Sequence, residues 1–495
     1  MSNLTAAEKK IPSVDRGPFI CHVDDKGFTV ICRTDIPAKK LLLSWRMPEE
    51  TTLRQNAEIS RPGGVDHVFK ATGDFSGKMP VDLQIIRECD GKVLENAASP
   101  SATAVPYLFN PGSESISVGW KSSAECAGAV EYRLAGSSRI MRKNALFTGN
   151  PATGISHIVH LDGLLPQTAY EYRVLALNPV NGKAYGYSSW YSFTTLKRNS
   201  GGCRMVFFSD IHADMDTFKK LSAVLAPEKA DFAVLAGDLC WDGVYETDGK
   251  PFFEDFLNFS NAAFASGVPT VFMRGNHEWA GKYSFEWAKW FPGCNGKTYG
   301  AFRAGECCFV VLDTGPIGNY QPGTPAGDYI AEQKEWLEKT VMPSAMFTTA
   351  RYRIVLAHMP THGIPNAPLL EKSFAELFNR GKVQLMIVGH VHRYMRINRN
   401  DNGCYGTDYY TIWDESNPPR SALDKNYTLV INGGGPDENG IFATALELCA
   451  SADNITVKVV KKDGSTVDEF RVLPDGKVEN ISPTKRFNFR GKYKK

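Results

Sequence analysis

Seven residues able to hold a metal ion follow five short apolar runs between residues 205 and 392. Asp210 and His212 follow Met205–Phe208, and Asp238 follows Ala233–Ala236. Asn276 follows Val271–Met273, His358 follows Ile354–Ala357, and His390 and His392 follow Leu385–Val388. Carboxylate, amide oxygen and imidazole are donors that hard or borderline divalent and trivalent metals accept. Two such ions about 3.5–4 Å apart bind a phosphoryl group together and make hydroxide available at neutral pH. The donor set therefore predicts a dinuclear, hydrolytic metal centre within residues 210–392. Histidine usage points the same way. Of six histidines after residue 198, five lie in these motifs, and the sixth, His362, is four residues from His358.

Donors so far apart in the chain need a scaffold that brings them together. The apolar runs are rich in β-branched and aromatic residues and read as strands buried on both faces. Open α/β sheets place ligands just past the carboxyl ends of such strands. Gly237, Gly275 and Gly389 each precede a donor, where a missing Cβ lets the chain turn sharply. Phe218, Leu221, Val224 and Leu225 predict a helix face after the first motif, and Gln333, Trp336 and Leu337 predict another, followed by Val341. Tyr427–Asn432 reads as a strand closed by the turn Gly433-Gly434-Gly435. Ala443–Leu448, Ile455–Val460 and Phe470–Val472 read as antiparallel strands. Residues 198–480 are thus expected to form a two-sheet α/β sandwich, with a Gly/Pro-rich loop within 303–330 and a solvated basic tail from Lys485 to Lys495.

The N-terminal part has a different period. In residues 101–197, Ile116, Val118 and Trp120 alternate, as do Tyr170, Tyr172 and Val174, with turn residues between. Leu164-x-Pro166-x-Thr168-x-Tyr170 has the form of a tyrosine corner in a fibronectin type III sandwich. Residues 15–99 read as a second, immunoglobulin-like sandwich. Pro18–Ile20 and Phe28–Thr34 align without gaps on Pro106–Leu108 and Ile116–Ser122, an offset of 88 residues that suits a repeated domain. Residues 1–14 are expected to be a loose arm.

The motifs Asp210-Ile211-His212, Gly237-Asp238, Gly275-Asn276-His277-Glu278, Val355 to His358 and Gly389-His390-Val391-His392 resemble, in this order, the calcineurin-like metallophosphoesterase superfamily. Within it they are similar to the purple acid phosphatase branch, over about 200–460. The resemblance implies a fibronectin-like domain ahead of the catalytic one. It implies that Asp238 bridges two ions, that Asp210, His212 and His392 complete one, and that Asn276, His358 and His390 complete the other. It also gives catalytic roles to Asp238 and His277. His277 would face the substrate and protonate the leaving alkoxide, a task that suits imidazole at neutral pH. Asn276 and His362 join His277 as expected substrate-facing residues, although His362 reads equally well as a loop residue.

Two departures bear on the metal. The purple enzymes usually carry Gly where this chain has His212, and a metal-binding Tyr where it has Trp241. Indole cannot replace a phenolate, so a non-purple Asp-x-His centre is implied, loaded with two divalent or mixed-valence ions among manganese, zinc and iron. Trp241 is expected to wall the cleft, and Glu278 to hold its loop. Arg274 could reach phosphate or form a structural salt bridge, the latter being favoured. Trp279, Trp287 and Trp290 read as core.

Composition narrows the remaining choices. Lys and Arg number 56 against 54 Asp and Glu, which favours neither nucleic acid nor an anionic membrane. No apolar run approaches the roughly 18–20 residues needed to cross a bilayer, and the first residues lack a secretory h-region. Eleven cysteines, several within apolar strand patterns such as Cys32, Cys307 and Cys308, fit a reducing interior. A cytoplasmic protein is the default expectation, and a secreted one if a signal was trimmed. The expected partner is a phosphate-ester substrate, monoester or diester. The competing expectation is a non-catalytic binding or adhesion protein carrying a relic phosphoesterase domain.

Overall fold

A computed structural model describes residues 11–24, 26–47, 49–60, 63–73, 81–97, 105–179, 182–239, 257–280, 287–293, 296–317, 325–362, 368–401, 403–407, 425–435 and 443–488. Trp241 lies outside these residues, as do the arm 1–10, the tail beyond 488, and 318–324 of the Gly/Pro-rich loop. A mostly β N-terminal region precedes an α/β sandwich.

The described residues between Val14 and Ala97 form one three-stranded and one four-stranded antiparallel sheet. Phe28, Val30, Leu41, Leu43, Trp45, Phe69, Leu83 and Ile85 make their shared core. The 88-residue offset reappears in strand pairing. Phe19 faces Ile31 and Ile20 faces Val30, while 88 positions on Tyr107 faces Gly119 and Leu108 faces Val118. Next on the same strands, Cys32 pairs with His67 and Trp120 with His157. Both histidines are buried, and each lies 2.9 Å through Nε2 from a hydroxyl, Thr34 in one case and Ser122 in the other. Thr34 and Ser122 are themselves 88 residues apart. In the second unit the Tyr170 phenol accepts a 2.9 Å hydrogen bond from the Leu165 amide, closing the corner that the Leu-Pro-Thr-Tyr spacing predicts.

The α/β region contains fifteen strands among the described residues: β1 Cys203–Phe208, β2 Phe232–Ala236, β3 Thr270–Met273, β4 Gly300–Ala304, β5 Cys307–Val311, β6 Tyr352–Leu356, β7 Leu385–Val388, β8 Met395–Ile397, β9 Gly403–Gly406, β10 Thr428–Ile431, β11 Thr444–Ala450, β12 Ile455–Lys461, β13 Thr466–Val472, β14 Val478–Ser482 and β15 Lys485–Asn488. One sheet has the order β3-β2-β1-β11-β12-β13-β14, and the other β4-β5-β6-β7-β10-β8-β9-β15. β3-β2-β1 and β5-β6-β7-β10 are parallel, so their carboxyl ends share one rim within each sheet. β15 corrects the expectation of a solvated tail, because residues 485–488 pair with β9. The first sheet also runs beyond the expected domain limit. Phe109 pairs in parallel with Thr270 of β3, which makes the sheet of the preceding β unit continuous with it.

The core between the two sheets includes Met205, Phe207, Val234, Phe309, Ile354, Ile387, Val430, Leu446 and Phe470. Helices cover the outer faces. α1, Met215–Leu225, packs on the first sheet through Phe218, Leu221 and Leu225, with the Asp214 side chain capping its N-terminus. Val224 points out of this face and is 37% exposed, because the buried stripe runs 218, 221, 222, 225. α2, Ala326–Trp336, and α3, Pro368–Arg380, cover the second sheet. Buried Gln333 of α2 is polar for a reason: its amide accepts from the Asp313 N–H and donates to the Asp313 carbonyl, each at 2.8 Å.

A buried ion pair pins the two sheets together. Arg396 of β8 and Asp468 of β13 are fully buried 2.8 Å apart, and the guanidinium lies 4.1 Å from the Tyr405 ring and 4.3 Å from Phe470. Tyr394 adds a hydroxyl at 2.5 Å. Removing one partner strands a charge in the core. Asp468→Ala is therefore expected to lower unfolding stability by about 3–5 kcal/mol; a denaturant midpoint equal to wild type would show that water reaches Arg396.

Candidate metal centre

Each donor sits two to four residues past a strand of the carboxyl rim, and five of the seven stand on backbone that few residues adopt. Asp210, His212, Asp238, His390 and His392 all have φ between +46° and +77°, five of the fourteen non-glycine residues with positive φ among those described. Asp and His tolerate this region better than most, yet each such residue costs of order 1–3 kcal/mol and persists only where its surroundings fix it. The fixing groups are visible. Pairing of β1 with β2 continues past both strands: Asp210 N–H donates to Gly237 O, His212 N–H to Asp238 O and Ala213 N–H to Leu239 O, at 2.9–3.1 Å. Glu278 ties the β2 and β3 loops together. Its carboxylate accepts from the amides of Asp238, Leu239 and Gly275 at 2.6–2.8 Å. Burial, reinforced by the charge of Asp238, pushes the Glu278 carboxyl up to about 6.

The glycines before the donors matter mainly for space. Only Gly237, at φ +87°, has positive φ. A Cβ on Gly275 would lie 2.1 Å from Asp238 Oδ1, and one on Gly389 would lie 2.3 Å from Asp210 Oδ2. At those two positions the missing Cβ leaves room for a carboxylate, which corrects the expectation of a sharp turn.

The structure brings the seven donors together in two groups that share one residue. Asp210, His212, Asp238 and His392 place ligand atoms within 4.8 Å of one another, and so do Asp238, His358 and His390. Asn276 belongs with the second group: its Oδ1 is 2.8 Å from His390 Nδ1 and 3.2 Å from His358 Nε2. Asp238 Oδ2 lies 3.1 Å from His358 Nε2 and 3.9 Å from the Nε2 atoms of His212 and His277. One oxygen of each carboxylate is held by a backbone amide, Asp210 Oδ1 by His390 N–H and Asp238 Oδ1 by His277 N–H. Asp210 Oδ2 is buried without a hydrogen-bond partner among the described residues. His212 Nε2 and His392 Nε2 face each other at 2.7 Å. Ligands about 2.1 Å from one cation are themselves about 3–3.4 Å apart, so the spacing, the unpartnered carboxylate oxygen and the facing imidazole nitrogens fit bound cations.

The buried charges compensate one another. Burial disfavours charge on His358, but the adjacent Asp238 carboxylate overrules it and pushes that imidazole up to about 10. Burial would also raise Asp238; His358, and then His277 and His212, hold it below the usual carboxylate range. His212 and His390 are driven down to about 3, mainly by burial. The His358 Nδ1–H donates to Ala236 O at 2.8 Å, which turns Nε2 toward Asn276 and Asp238.

His277 differs from the donors. Its side chain is 18% exposed, and its ring meets His212 edge-on at 4.9 Å. His362 corrects the expectation of a substrate-facing residue. It is buried against Tyr427, and its Nδ1 is 3.1 Å from Thr361 Oγ1. Arg274 takes the structural role, 2.5 Å from Asp313 and stacked 3.8 Å over Trp279, while Trp287 is buried.

Residues 203–394 match the family model for calcineurin-like phosphoesterases, and residues 106–195 that for the purple acid phosphatase N-terminal domain. This chain carries both domains. Its phosphoesterase domain thus follows an N-terminal domain found in purple acid phosphatases. Purple acid phosphatase 23 of Arabidopsis thaliana is 26% identical over 312 residues, covering 56% of this chain and 65% of that protein. Purple acid phosphatase 15 of the same plant is 25% identical over 340 residues, covering 60% of each. The chain therefore spans less than two thirds of these relatives' length. A purple acid phosphatase from yellow lupin (Lupinus luteus) seeds shares the fold, with a TM-score of 0.56, 16% identity and coverage of 90% of this chain and 93% of the other. Among the described residues no helix is long and apolar enough to cross a membrane.

Proposed function

We propose that the chain is a metal-dependent phosphoesterase that hydrolyses a phosphate monoester or diester. The observation that carries this reading is the pair of donor groups joined at Asp238. Asp210, His212, Asp238 and His392 would hold one ion; Asp238, Asn276, His358 and His390 would hold the other. A bound pair, manganese, zinc or iron, would supply Lewis acidity toward the phosphoryl oxygens and a nucleophile at neutral pH. The carboxylates do their part by geometry, since backbone amides fix one oxygen of each. His277 stands at the accessible side, beside His212 and Asp238. As a water-derived oxygen forms its bond to phosphorus and the P–O bond to the leaving group breaks, the leaving oxygen would take a proton from His277, whose imidazole regains one from solvent.

The test is a substrate panel on metal-stripped chain reloaded separately with manganese, zinc or iron. Phosphomonoesters, aryl diesters, cyclic nucleotides and phospholipid headgroups are included. Reloading is expected to restore hydrolysis of at least one class. Two metals bound per chain with no hydrolysis of any class would overturn the reading and favour a binding protein.

A further inference from the structure

We infer that the segment Asn432–Gly435, which follows β10 and lies outside the donor motifs, is a positioning element for the Asp210/His212/His392 half of the centre. The inference rests on the proposed metal reading and deepens it. Asn432 is fully buried at the seam between the two sheets. Its Nδ2 donates to Ser209 Oγ at 2.9 Å, its Oδ1 accepts from Thr444 Oγ1 at 3.1 Å, and its backbone N–H donates to Val388 O at 2.7 Å. One side chain and its amide therefore tie together the ends of β1, β7 and β11. Ser209 immediately precedes Asp210, and Val388 stands two residues before His390. Thr444 Oγ1 also accepts from Gly433 N–H at 2.8 Å, which closes the network.

The glycines complete the cradle. A Cβ on Gly434 would fall 1.9 Å from Ser209 O and 3.1 Å from Asp210 Cβ. Gly435 lies at φ +109°, and its Cβ would stand 3.2–3.4 Å from the His392 side chain. A Cβ on Gly433 would meet Tyr394 N at 2.4 Å. The backbone thus lies directly against Ser209–Asp210 on one side and His392–Tyr394 on the other. These are two of the positive-φ donors that need outside support. Asn276 and His358 are held by other groups, Glu278 through the Gly275 amide and the Ala236 carbonyl. The Asn432 N–H that reaches Val388, ahead of His390, is backbone and survives side-chain substitution, so the Asn432 side chain should bear on the Asp210/His212/His392 ion and not the other.

Titration of the metal-stripped full chain with Mn²⁺, followed by calorimetry, separates the two sites. Asn432→Ala and Ser209→Ala are each expected to weaken one site about 10–100-fold, the range typical of groups that orient ligands, and to leave the other unchanged. The double variant should be no weaker than the worse single one, because both act through the same hydrogen bond. Melting curves establish folding; if Asn432→Ala does not fold, Ser209→Ala, which removes one oxygen, carries the test. Equal weakening of both sites, or two sites unchanged in every variant, overturns this inference while leaving the two-metal reading intact. A wild-type chain that binds fewer than two ions of Mn²⁺, of Zn²⁺ and of Fe²⁺ alike overturns both.

Discussion

Asp238→Asn is expected to strip metal from both halves of the centre and to abolish turnover in step with it. The wild-type Oδ2 lies among the Nε2 atoms of His358, His212 and His277, while Oδ1 receives the His277 amide. An asparagine has one oxygen for these two tasks. In one orientation its NH₂ points at the metal side, and in the other it meets the His277 N–H, donor against donor. The negative charge that both ions would share is lost in either case. Because Asp238 is common to the two donor groups, both affinities should fall, and by more than the ~10–100-fold seen for outer supporting groups. Metal analysis beside steady-state kinetics checks this. Two ions retained at wild-type affinity would remove Asp238 from the bridging role.

His277→Ala should separate metal binding from chemistry. The hydrogen bond that His277 gives to Asp238 comes from its backbone N–H at 2.9 Å, and alanine keeps it. Metal content should stay near wild type while turnover falls about 10²–10⁴-fold, the usual contribution of a positioned acid or base. The loss should shrink as the leaving group becomes more acidic, since a stable phenolate departs without a proton. A flat dependence on leaving group, or full activity on alkyl esters, would exclude His277 as the acid. His362 could not readily replace it, buried as it is against Tyr427.

Much of this was legible in the chain because the information is local. A parallel strand buried on both faces is a run of apolar residues whatever it packs against, so β1, β2, β3, β6 and β7 can be read one at a time. The donors follow those runs within four residues, and the tyrosine corner is likewise a five-residue relation. The errors arose where a neighbour distant in sequence decides. Val224 keeps helical company but falls outside the buried stripe of α1. Lys485–Asn488 looks like a solvated basic tail until β9 offers its edge. His362 sits near a motif, yet its surroundings are set by Tyr427, far along the chain.

Which residue types arrive at the ends of the parallel strands, and in which order, is written in the chain. How they group follows from packing, because β1, β2 and β3 belong to one sheet and β6 and β7 to the other. Packing the two sheets face to face sets His392 beside Asp210 and His358 beside Asp238. The strained backbone at five donors, the room left by Gly275 and Gly389, and the Asn432 link between the sheets also depend on that packing. Periodicity records which face of an element is buried, but carries no trace of which atom comes to lie opposite it.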